Sequence, residues 1–199
     1  MARTIDRDAR KVQLAEAVWQ VILDKGISSV SVRTVAEQAG VVVGSLRYVF
    51  PTRAELLAFS AELMVQRATE RVLATPARSD ISEYVLEVLK HFLPLNAESR
   101  AELEVNIALI AESPALPELV PIRNRAYREL GDACIQVVEL LVGRQRDPKL
   151  VQSARHLHAL IDGLAIHLLM EPPERDSAWA IEILQAELAS IGSANRRHI

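Results

Sequence analysis

The chain has 199 residues, half of them apolar, a single cysteine and a formal net charge of -3. This composition excludes an evenly basic coat, an intramolecular disulfide and a low-complexity chain. The charge is uneven: residues 1–56 carry eight Lys or Arg against six Asp or Glu and the remainder fifteen against twenty, so a phosphate partner is expected at the front.

Val12, Ala15, Trp19, Ile22 and Leu23 recur at three- and four-residue spacing among polar residues, which predicts a first amphipathic helix. Gly26 suits its left-handed C-cap, and Lys25 sits at its negative end. Ser31 is the natural cap of a second helix running to about Gln38, with Val32, Val35 and Ala36 turned inward. Ala39 and Gly40 then permit a tight turn. A third helix runs from Val42 or Val43 to Val49 or Phe50; it is too short to persist alone, and Leu46 and Phe50 are its anchors. After Pro51, Thr52 and Glu55 have the spacing of a capping box for a fourth helix to about Ala74.

Past Pro76 the pattern predicts a fifth helix over roughly 79–93, closed by Pro94 and Asn96. A sixth covers about 99–112. Pro114, Pro117 and Pro121 are expected to hold off the seventh until Ile122, after which it continues to Val142 and Gly143. An eighth follows Pro148 as far as Met170, and Pro172 and Pro173 separate it from a ninth near 175–191. The fold class is therefore all-α with about nine main helices. A small three-helix unit over 1–51 joins, through the fourth helix, a larger helical bundle over 52–199.

Three short helices with a tight turn before the third allow that third helix to enter a major groove. Val43, Ser45, Arg47 and Tyr48 lie off the Leu46 and Phe50 face and are free to meet DNA. Arg47 suits a phosphate or a guanine edge, Ser45 suits either, and Val43 suits a thymine methyl. Gly44 is a poor helix residue but lets a phosphate backbone approach closely, and the N–H groups near Val42 and Val43 favour an anion. Arg33 and Thr34, with Arg3, Arg7 and Lys11, are candidates for flanking phosphate contacts.

From Val32 to Leu57 the chain reads VRTVAEQAGVVVGSLRYVFPTRAELL. Its V-A-x-x-A-G-V turn, G-S-L segment and F-P-x-R-x-E-L-L stretch resemble the TetR family of bacterial repressors. The resemblance implies a homodimer whose heads bind a palindromic double-stranded operator and whose rear domain binds a small inducer. It also implies that Arg33, Thr34, Val43, Gly44, Ser45, Arg47 and Tyr48 face DNA. The chain departs from the family pattern at Val42, usually serine or threonine, at Val43, usually polar, and at Val49, usually an aromatic phosphate contact. The losses of a capping oxygen and of a hydroxyl donor shift the expected anchoring to Arg47 or Tyr48.

Behind the head, Leu157, Leu160, Ile161, Leu164, Leu168 and Leu169 on the eighth helix, and Ala178, Ile181, Leu184, Leu188 and Ile191 on the ninth, form broad apolar faces. Dimerisation is their default role. Polar or aromatic residues within apolar patterns mark candidates for an effector site: Asn106, Tyr127, His158 and His167, with Phe59, Met64 and Phe92 as apolar walls. The expected effector is a small, mostly apolar molecule, and a constitutive DNA binder is the rival reading.

A small helical enzyme is the third reading. His158 and Asp162 alone do not complete a metal shell, and Ser153, His156 and Asp162 lack a G-x-S-x-G turn, so no catalytic residue, metal or cofactor is expected. Cys134 sits among apolar neighbours and reads as a buried, reduced thiol. The charged start is unlike a secretory signal, and the run from Leu157 to Met170 is too short and polar for a membrane span, which together predict a cytoplasmic protein without a membrane partner.

Overall fold

The structure, a computed structural model, describes the backbone of residues 2–143 and 147–196 and the side chains of residues 7–143 and 147–193. Among the described residues the fold is all-α. Its nine helices are α1 (Ala2–Lys25), α2 (Val32–Gln38), α3 (Val43–Val49), α4 (Arg53–Leu73), α5 (Ile81–Lys90), α6 (Ala97–Glu112), α7 (Leu119–Val142), α8 (Pro148–Met170) and α9 (Ala178–Arg196). Contacts divide the chain into two compact units, one of residues 1–68 with 101–125, the other of residues 69–100 with 126–199.

In the first unit, α1, α2 and α3 pack on one another. Leu14, Val18, Val21 and Ile22 of α1, Val35 and Ala36 of α2, and Leu46 and Phe50 beside α3 are buried in one cluster with Leu56, Leu57, Ala61 and Met64 of α4. The face of α1 is wider than the spacing suggested: Leu14, Ala17, Val18 and Val21 are buried as well as Ala15 and Ile22, whereas Trp19 and Leu23 pack at its edge. Val105 and Leu109 of α6 and Leu119 of α7 complete this cluster. The head's core thus draws on residues far downstream of α4.

Local chemistry explains the helix ends. Gly26 closes α1 at φ 77°, its N–H bonded to Ile22 O at 2.9 Å, a conformation open to glycine without a Cβ clash. Ser31 caps α2: its Oγ accepts from Thr34 N–H at 3.1 Å, and Ser31 N–H donates to Thr34 Oγ1 at 2.9 Å. This is a reciprocal box, with threonine in the position usually filled by Glu or Gln. Gly40, at φ 66°, makes the turn before α3. Val42, at the cap position of α3, offers no side-chain acceptor, so packing has to hold that seven-residue helix.

In the second unit α9 packs against α8 and α5. Asp147 caps α8 by accepting from Leu150 N–H at 2.8 Å, and Pro148 takes the first helical position, where no N–H partner is lost. Several boundaries differ from the sequence reading, α9 by running to Arg196, and two of the differences have a clear cause. The helix α7 begins at Leu119 with Pro121 inside its first turn, because a first-turn N–H has no intrahelical partner to forfeit. The helix α5 ends at Lys90, and the Phe92 and Leu93 N–H groups bond to Leu89 and Lys90 carbonyls three residues back. Such tightening is natural just ahead of Pro94, which disfavours α-helical geometry at Leu93.

Candidate nucleic-acid interface and effector residues

With Leu46 and Phe50 turned into the core, the opposite side of α3 is left to solvent. Val42 is 74% exposed, Val43 37% and Tyr48 78%; Gly44 and Arg47 are exposed and Ser45 half-buried. An added Cβ at Gly44 would meet nothing within 4 Å, so packing inside the head does not require the glycine. On α2, Arg33 is exposed. Thr34 is half-buried, and its hydroxyl also donates to Ser29 O at 2.7 Å, so its side chain shapes the start of α2 more than it reaches outward. Val49 is packed against the core, consistent with its lack of a polar tip.

Of the basic residues of α1, Arg7 is tied to this surface and Lys11 to α4. The Arg7 guanidinium lies 5.9 Å from the centroid of the Tyr48 ring, and Lys11 Nζ lies 5.5 Å from that of Phe59. The Arg3 side chain lies outside the described residues. Spacing alone gave no hint that Arg7 supports Tyr48, since the two lie on different helices far apart in the chain.

Arg53 is the head's main polar tie. Its Nε donates to Val30 O at 2.9 Å, Nη2 to Ile27 O at 3.1 Å, and Nη1 to Glu112 Oε1 at 2.9 Å. One guanidinium thereby joins the turn before α2, the first residue of α4 and the last residue of α6, using the planar fork that a lysine lacks. The expected capping box of α4 is half formed: Thr52 Oγ1 accepts from Glu55 N–H at 3.1 Å, while the Glu55 carboxylate accepts from the Thr52 hydroxyl, also at 3.1 Å, and not from its backbone N–H.

The effector candidates fall into both units. Phe59 stacks on Phe50 with centroids 5.2 Å apart, and Met64 is buried in the head's core. Asn106 of α6 is exposed. In the second unit Phe92 is half-buried and His167 exposed, while Tyr127 and His158 come together with ring centroids 4.9 Å apart. His158 is buried, and its Nε2 is 3.6 Å from Asp162 Oδ2. Burial raises the Asp162 carboxyl above the ordinary range, an effect opposed by His158. His156 instead meets Glu187 of α9 at 3.2 Å. Among the described residues no group of three or more His, Cys, Asp or Glu is arranged to hold a metal, and no helix is long and apolar enough to cross a membrane.

The head geometry has close counterparts in known proteins. Residues 14–58 match the family described as bacterial regulatory proteins, tetR family, and residues 82–193, more than half the chain, match the BetI-type transcriptional repressor C-terminal family. The chain belongs to the TetR family. It is 33% identical over 174 residues to the HTH-type transcriptional regulator PksA of Bacillus subtilis (strain 168), covering 86% of this chain and 84% of that one. A transcriptional regulator from Rhodococcus sp. Rha1 superposes with a TM-score of 0.81 at 25% identity, over 92% of this chain and 96% of the other. The multidrug binding protein EbrR, complexed with malachite green, superposes at 0.67 with 28% identity, over 89% and 97%. TetR-family membership makes the chain a DNA-binding transcriptional regulator of the helix-turn-helix type and not an enzyme. The hydrolase reading of Ser153, His156 and Asp162 therefore falls away.

Proposed function

We propose that this TetR-family regulator is a ligand-responsive repressor that binds a palindromic operator as a homodimer, residues 1–51 reading DNA and residues 52–199 sensing a small, mostly apolar effector and forming the dimer. The observation that carries the reading is the division of labour on α3. Leu46 and Phe50 are consumed by the core, while Val43, Gly44, Arg47 and Tyr48 remain at the surface, flanked by Arg33. Arg47 and Arg33 serve as phosphate or base-edge contacts, with Ser45 beside them, and Thr34 shapes the start of α2.

Much of the apolar surface expected to pair is used within the chain, although Leu160 and Leu169 of α8 and Ala178 and Ile181 of α9 are not fully buried. Leu157, Ile161, Leu164 and Leu168 of α8, and Leu184, Leu188 and Ile191 of α9, are already buried within the chain. What α8 and α9 leave outside includes Ala159, Ile166 and Met170 on one helix and Ile183, Ala186 and Ala189 on the other. Small and apolar side chains of this kind suit close helix pairing about a two-fold axis. Sedimentation equilibrium at micromolar concentration should give twice the 22.0 kDa chain mass; a persistent monomer would reject the pairing.

For the effector, the adjoining, mutually tilted rings of Tyr127 and His158 supply an aromatic surface with a polar edge, and EbrR, a structural relative, is complexed with malachite green. The test is a thermal-shift screen of small molecules, followed by titration of a duplex selected by the protein from a random-sequence library. A stabilising hit should weaken duplex binding through reciprocal linkage. Tight hits that leave duplex affinity unchanged would assign a constitutive DNA binder instead. In the same titration, Arg47→Ala should weaken binding and, if Arg47 meets phosphate, lower the salt slope by about one neutralised phosphate per subunit.

A further inference from the structure

We propose that the leading end of α3 reads thymine C5-methyl groups, so that one or two thymines in each half-site set sequence preference there without a base-edge hydrogen bond. The inference rests on the DNA-reading role of the head and names what that surface recognises. Residues at the start of a recognition helix are the ones that reach base edges. Here they are Val42, Val43 and Gly44, whose side chains contain neither a donor nor an acceptor. Neither valine serves the core: Val42 is the more exposed of the pair at 74%, and the helix is anchored from its other side by Leu46.

The major groove presents one apolar feature, the thymine methyl; its other marks are hydrogen-bonding groups. Two exposed valines beside a glycine with open space around it can approach that methyl closely and gain nothing from an amino or carbonyl edge. The polar groups nearby do not substitute for them. Ser45 is half-buried, Thr34 is bonded into its own turn, and the Tyr48 ring is engaged by Arg7. Arg33 and Arg47 are exposed on the flanks, where phosphate contacts would fix register and leave sequence choice to the valines.

Deoxyuridine differs from thymidine only by the missing methyl, which makes the test direct. Duplexes are selected by the full-length protein from a random-sequence library, and each thymine of the best duplex is replaced singly by deoxyuridine. At one or two positions per half-site the replacement should weaken binding about fourfold, the value of one buried methyl. With Val43→Ala or Val42→Ala, both at exposed positions that leave the fold intact, that penalty should fall below about twofold at the matching position while the salt dependence stays unchanged. Tight duplex binding that tolerates deoxyuridine everywhere would overturn the thymine inference and leave the DNA-reading role standing. A penalty that survives in both valine variants would also overturn it. Failure to enrich or bind any duplex would remove the DNA-reading role itself, and this inference with it.

Discussion

The helices proposed to face DNA and those proposed to face a second subunit are built by different means. In the first unit α2 and α3 have seven residues each, below the length at which a helix holds itself in water. They depend on Ser31 and Thr34 at one end, on Leu46 and Phe50 in the core, and on a guanidinium from α4. In the second unit α8 and α9 have 23 and 19 residues and bury leucines turn after turn. The contrast teaches where function can be read. A short helix spends few residues on packing, so those it leaves outside stand out; a long helix buries so many that a polar residue such as His158 serves equally well as filler or as a ligand contact.

The largest effect should come from removing a head anchor. Leu46→Ala empties a fully buried site, so we expect a loss of about 2–5 kcal/mol of stability, measured by urea denaturation, together with loss of duplex binding. A stable variant with normal binding would mean that α3 does not rely on the core. Next comes Arg53→Met, which strands the Val30 and Ile27 carbonyls and the Glu112 carboxylate. A cost of roughly 1.5–3 kcal/mol is expected, against about 1 kcal/mol for Arg67→Met, which loses one ion pair, with Glu16 at 2.6 Å, and a contact with the Trp19 ring but leaves no carbonyl stranded. Equal costs would deny Arg53 its special place.

A smaller and oppositely signed effect is expected at Gly44. Alanine there meets no neighbour and should raise thermal stability by up to about 1 kcal/mol, while its methyl, projecting into the proposed groove, weakens duplex binding. Unchanged affinity would show that the glycine is not kept for DNA. The least effect at neutral pH belongs to the second unit. Burial, with help from Asp162, pushes the Cys134 thiol up to about 12 from an ordinary value of 9.0. Since the folded value is the higher, the associated stability is fully present below about pH 9 and is lost as pH rises towards 12. A thiol reagent should leave native Cys134 untouched at neutral pH, and Cys134→Ala should flatten the alkaline loss of stability; rapid native labelling would contradict the burial.

The helices, their order and the exposed side of α3 were legible because they rest on local signals: the Ser31 cap, the Gly26 and Gly40 turns, and the Leu46 and Phe50 spacing. Cys134 was legible from its neighbours. What was hidden depends on distant partners. Nothing near Arg53 announces Glu112, which lies 59 positions away, nor does Tyr48 announce Arg7. Pro121 was read as a barrier because proline usually breaks helices, whereas its position within the first turn of α7 removes the penalty. The apolar stripes of α8 and α9 were visible, but a stripe does not say whether its own chain or another copy covers it. The structure assigns Ile161 and Leu164 of the α8 stripe to the chain's own interior.

The Arg53 tie and the contribution of Val105, Leu109 and Leu119 to the head's core bear on how such regulators are recombined. A chimera that transplants only the helix-turn-helix and the start of α4 would leave a guanidinium without its carboxylate and a core without part of its cover. A transferable cassette has to include the stretch around α6 and the start of α7, although it lies far downstream in the gene. Specificity for DNA is therefore portable in this architecture as a discontinuous piece of chain, cut where the contacts end and not where the helix-turn-helix motif does.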